Sequence, residues 1–139
     1  MHLPRISLVN LIRLFLFIVS LSLVGLVKKV YRPWVYQQGG WDFSIADWGP
    51  SLFFIFGMGM LIAAVVTTIE RLQQLKYQTM AGVIIGALLY KISHALRPDQ
   101  WFSWDDIIAT IVGGLAAILV EVILTGARKV QEMHPHNHR

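Results

Sequence analysis

Four stretches of the chain are apolar over a length that matters. Residues 6–27 contain the uncharged run Leu14–Val27, and residues 51–69 carry no charge at all. Residues 79–96 are uncharged only from Thr79 to Tyr90 and reach full length by taking in Lys91 and His94. Residues 107–127 hold a single ionisable side chain, Glu121. A helix needs about 20 mainly apolar residues to cross a hydrocarbon core of about 30 Å. The pattern therefore predicts an all-α polytopic membrane protein, a bundle of four transmembrane helices, with the third the weakest. Residues 1–129 form one helical domain, and residues 130–139 a polar tail containing His134, His136 and His138. The connection Tyr31–Pro50, with Pro33, Gly39-Gly40 and Pro50, reads as irregular. Arg5 ahead of an apolar run resembles a signal peptide. The run continues to Val27 and stops at Lys28-Lys29, so a retained anchor is expected.

Composition fits lipid as the solvent. Of 139 residues, 55% are hydrophobic and 14% charged, against roughly a quarter charged in ordinary soluble domains. The net charge of +4 suits anionic headgroups. It does not suggest nucleic acid, because no basic patch with stacking aromatics is present. The absence of cysteine excludes disulfides and thiolate chemistry. Four spans put both termini on one side with seven basic residues, against five on the other. That bias favours cytoplasmic termini. All five tryptophans lie on the opposite side, with Tyr31 and Tyr36. Anchoring and loop contacts explain such aromatics. A platform for a headgroup or glycan is the alternative.

Helices in lipid associate through small residues that let backbones approach. Gly57 and Gly59, the pair Gly82 and Gly86, and the series Ala109, Gly113, Ala117 mark spans two, three and four as the tight core. Span one, with few small residues, is expected at the periphery. Arg13 lies 15 residues before the end of span one at Lys28, and Glu121 lies 15 residues after Asp106. At about 1.5 Å per residue both sit at matching depth. A lone charge there costs at least about 2.5–3.5 kcal/mol, which an ion pair between Arg13 and Glu121 would relieve. Separate snorkelling to the interface is the alternative.

The unusual polar chemistry gathers on the aromatic side: Arg32, Asp47, Lys91, His94, Arg97, Asp105 and Asp106. Lys91 and His94, three residues apart, share a helix face. Either aspartate of Asp105-Asp106 can cap span four, and Asp47 can do the same for span two. These residues are the candidate ligand-binding set. No catalytic set is assigned. Lys91-x5-Arg97-Pro98 is one residue short of the phosphatidic-acid phosphatase element, whose companion motifs are absent, and no G-x-S-x-G occurs. The tail histidines do not fix a metal site, so no metal and no cofactor is expected.

Two segments carry a family resemblance. Asp47-x-Gly49-Pro50-x-x-Phe53-Phe54 leads into span two, and Trp104-Asp105-Asp106-Ile107-Ile108-Ala109-Thr110-Ile111-Val112-Gly113-Gly114 opens span four. The pattern resembles the VanZ-like family of small bacterial membrane proteins. Asp47, Asp106 and Gly113 match family motif positions, and Arg97 stands near the family's basic residue before the last span. Thr110 replaces the usual Asn, Asp47-Trp48 replaces an Asp-Lys pair, and a Glu-x-x-Gln stretch is missing. The resemblance implies a helical protein of the bacterial cytoplasmic membrane with outward polar loops. The family is linked to glycopeptide resistance, a property not carried over to this chain.

The expected function is non-enzymatic binding or shielding of an envelope lipid or glycan precursor at an outward polar and aromatic mouth. The first alternative is an accessory subunit docking its glycine faces onto a partner membrane protein. A second is an envelope-lipid-modifying enzyme using His94 with Asp105 or Asp106.

Overall fold

The computed structural model describes residues 7–39, 43–96 and 103–133, without the side chains of 70, 95 and 128–133. Among these residues the chain is entirely helical apart from short turns. Helix α1 (Leu8–Leu26) starts at Ser7, whose hydroxyl accepts from the Asn10 amide. It passes through a π-helical turn, Val27–Tyr31, directly into α2 (Arg32–Gln38). Helix α3 (Ile45–Thr68) leads through a 3-10 turn, Glu70–Leu75, into α4 (Lys76–Ala95), and α5 (Trp104–Met133) follows. Among the described residues three helical stretches are long and apolar enough to cross a membrane: Leu8–Gln38, Ile45–Thr68 and Trp104–Ala127. Helix α4 has 20 residues, enough length at about 1.5 Å each. Lys76, Gln78, Lys91 and His94 keep it less apolar than the others.

The connection expected to be irregular is mostly helix. A proline inside a helix lacks the amide proton and crowds the carbonyl four residues earlier. For Pro33 that carbonyl belongs to Lys29, inside the π turn, where the backbone is already widened. Gly39, at φ 60°, ends α2 in the left-handed conformation. Helix α3 then starts at Ile45, six residues ahead of the expected boundary. Pro50 lies within its second turn, where one missing hydrogen bond is tolerated. Asp47 is consequently inside the first turn rather than at the cap, which is Ser44.

Helix α3 is the centre of the bundle, with α1 and α5 on opposite faces and α4 against both α3 and α5. The expectation of a peripheral first span is corrected here. A Cβ built on Gly57 would stand 2.9 Å from Cβ of Ser20, so this glycine seats α1 rather than α4. On the other face, a Cβ on Gly59 would meet Ala117 at 2.6 Å. Gly113 lies against the backbone of Leu52, and Gly114 against Ile84. Gly82 and Gly86, expected to pack within the bundle, have nothing within 4 Å of their built Cβ positions. Their face of α4 turns outward, and Gly114 together with Ile84 makes the α4–α5 contact instead.

One buried polar cluster ties every long helix together. Arg13 donates from Nε to Glu121 Oε2 (2.8 Å) and from Nη2 to Oε1 (2.5 Å). Lys76 Nζ donates to the same Oε1 at 2.5 Å and to Thr125 at 3.1 Å. The remaining Arg13 nitrogen reaches Asn10 and Thr67. Glu121 is wholly buried and answers two cations at once.

Candidate functional site

At the far end of the bundle a cleft of about 870 Å³ opens over the first turns of α3. Its three walls are α1 with its π turn and α2, the first turns of α3, and α4 with the start of α5. Contact between α1 and α4 is at most slight, so the cleft lies between helices that do not close on each other.

Two ion pairs shape its rim. Arg32 Nη2 lies 3.1 Å from Asp47 Oδ1, and Tyr36 donates its hydroxyl to the same oxygen at 2.5 Å. The Arg32 guanidinium carbon stands 5.5 Å from the centre of the Tyr36 ring. These contacts hold α2 against α3. Across the cleft, Lys91 donates to Asp106 Oδ2 and, at 2.8 Å, to Ser51 Oγ. That second clasp joins α4, α5 and α3. Asp106 Oδ1 is buried and accepts no hydrogen bond among the described residues. A carboxylate oxygen in that state is unusual, since buried polar atoms are nearly always paired.

Polarity changes sharply with depth. Lys28 and Val24, Ser51 and Ile55, and Lys91 and Ala87 are pairs of lining residues, each four positions apart on one helix. Four residues make about one turn, or about 6 Å along the axis. On all three walls the polar member lies toward the loops and the apolar member toward the bundle centre. Phe54 extends the apolar floor.

Of the candidate residues read from the sequence, the cleft brings together Arg32, Asp47, Lys91, Asp105 and Asp106. His94 does not line it, and its ring lies 4.5 Å from that of Tyr90, which does. Arg97 and the tail histidines lie outside the described residues. Tyr36, read from the sequence only as one of the one-sided aromatics, lines the cleft, and Lys28, Ser51, Tyr90 and Ser103 line it although they are not in the candidate binding set. Lys28 and Arg32 share an i, i+4 spacing, a signal that could have marked them. Trp34 and Trp104 are largely exposed, whereas Trp48 donates its indole N–H to the Phe43 carbonyl at 2.9 Å. Among the described residues no group of His, Asp and Glu is arranged to hold a metal ion. No family model, curated protein or solved structure matches this chain.

Proposed function

We propose that the chain is a four-span, VanZ-like protein of a bacterial cytoplasmic membrane, with cytoplasmic termini. Its outward cleft binds the polar head of an envelope lipid or lipid-linked glycan precursor, without chemistry on it. The observation that carries this reading is the one-turn step from polar to apolar lining on three walls. A soluble glycan needs no apolar floor beneath its site, whereas an amphiphile needs both layers in that order. Amphiphile binding also suits a gap between α1 and α4, through which an acyl chain stays in the bilayer. The fourth span is supported by the lysines of α4. Lys76 and Lys91 both turn inward onto carboxylates of α5, so neither charge need face lipid.

Native mass spectrometry of the protein released gently from its own membrane tests the reading. A co-purifying lipid or lipid-linked sugar is expected, lost in Arg32→Ala and Asp47→Asn variants. A protein that carries no specific lipid in any preparation defeats it. An accessory-subunit role is the second reading, favoured by the open strip Gly82, Ile85, Gly86 and Leu89 on α4. Retention of a stoichiometric partner protein and no lipid supports that alternative.

A further inference from the structure

Resting on the lipid-binding reading, we infer that the cleft selects a zwitterionic headgroup, one carrying both a phosphate diester and an ammonium. Among the described residues the cleft is lined by three cations, Lys28, Arg32 and Lys91, and three carboxylates, Asp47, Asp105 and Asp106. Two of each are matched to one another, Arg32 with Asp47 and Lys91 with Asp106. Lys28 and Asp105 hold no hydrogen bond or ion pair among the described residues. Among the described lining residues one unpaired cation and one unpaired anion remain, and they stand on different walls. Lys28 is in the π turn beyond α1, and Asp105 is in the first turn of α5, helices that lie on opposite faces of α3.

A purely anionic head would satisfy Lys28 and meet uncompensated repulsion from Asp105. A headgroup bearing both charges answers each free group with its opposite. The phosphate goes to the Lys28 wall, where Arg32 one turn on leaves much of its guanidinium exposed. The ammonium goes to Asp105, beside the undonated Oδ1 of Asp106. Aminoalkyl phospholipids have this charge layout above an acyl region that matches Val24, Ile55 and Ala87. Charge-assisted contacts of this kind discriminate about tenfold each.

The test uses the purified full chain in detergent micelles doped equally with phosphatidylethanolamine and phosphatidylglycerol of identical acyl chains. Bound lipid is counted by native mass spectrometry. Phosphatidylethanolamine is expected to exceed phosphatidylglycerol about tenfold. Asp105→Asn, which keeps a residue suited to a helix start, should bring that ratio close to one. Lys28→Ala should lower retention of both lipids. Preferential retention of phosphatidylglycerol, or an Asp105→Asn variant with unchanged preference, overturns the zwitterion inference while leaving lipid binding intact. If neither of these lipids nor any native lipid is retained, the lipid-binding reading falls and this inference with it.

Discussion

Arg13 and Glu121 are joined by two hydrogen bonds across the flank of α3, although 108 positions separate them in the chain. Lys76 adds a third donor to the same carboxylate, leaving two cations dependent on one anion. Removing either arginine or lysine leaves a matched pair, whereas removing Glu121 strands both cations in a buried site. Breaking a buried pair costs about 3–5 kcal/mol. Glu121→Leu should therefore destabilise the bundle more than Arg13→Leu or Lys76→Met. Thermal unfolding in detergent gives the ranking. An equal loss for Glu121→Leu and Arg13→Leu would mean that Lys76 draws little from the carboxylate.

Glycines on different helices should respond oppositely to one added methyl group. A Cβ on Gly113 would stand 2.5 Å from the Leu52 carbonyl oxygen and 3.2 Å from its Cα, backbone atoms that cannot step aside. Gly113→Ala should cost about 1–3 kcal/mol through overpacking. Gly86→Ala meets nothing within 4 Å and gains up to about 1 kcal/mol of helix propensity. Paired melting curves of the two variants give the comparison, with Gly113→Ala melting lower than the parent and Gly86→Ala at or above it.

The cysteine-free sequence makes topology directly measurable. Single cysteines at Gln38, Gln74 and Ser103 fall at the end of α2, in the 3-10 turn and just ahead of α5. Four spans place Gln38→Cys and Ser103→Cys on one side of the membrane and Gln74→Cys on the other. Labelling with an impermeant maleimide in right-side-out cells reads the pattern. Ser103→Cys reacting together with Gln74→Cys, apart from Gln38→Cys, would show that α4 does not cross.

The apolar runs made the helices legible, because a period of apolar residues long enough for lipid leaves few other structures open. Depth was legible too: counting residues from Lys28 and Asp106 puts Arg13 and Glu121 at one level, and the structure sets them side by side. Azimuth was not. Nothing in the spacing of Gly82 and Gly86 distinguishes a face turned to a neighbour from one turned outward, and the choice depends on the bulk of Ile84 against Gly114. Lys76 carries no inward signal in the sequence, because a basic residue at a helix end looks like an interfacial anchor. Its inward turn follows from Glu121 and Thr125, one helical turn apart on another helix. Pro33, Gly39-Gly40 and Pro50 read as a loop in the sequence, since a π turn leaves no mark in composition.

The two lysine clasps of α4 give that helix a fixed ruler. Lys76 and Lys91 are 15 residues apart, and so are the carboxylates they meet, Glu121 and Asp106 on antiparallel α5. At about 1.5 Å per residue the rungs are about 22 Å apart on both rails. Helix α4 thus cannot slide along α5 or rotate by one position without losing both rungs together. The outer clasp borders the cleft and the inner one is buried beside Arg13, so the register at one end is the register at the other. Indels within either helix between the rungs are consequently the changes this architecture least tolerates.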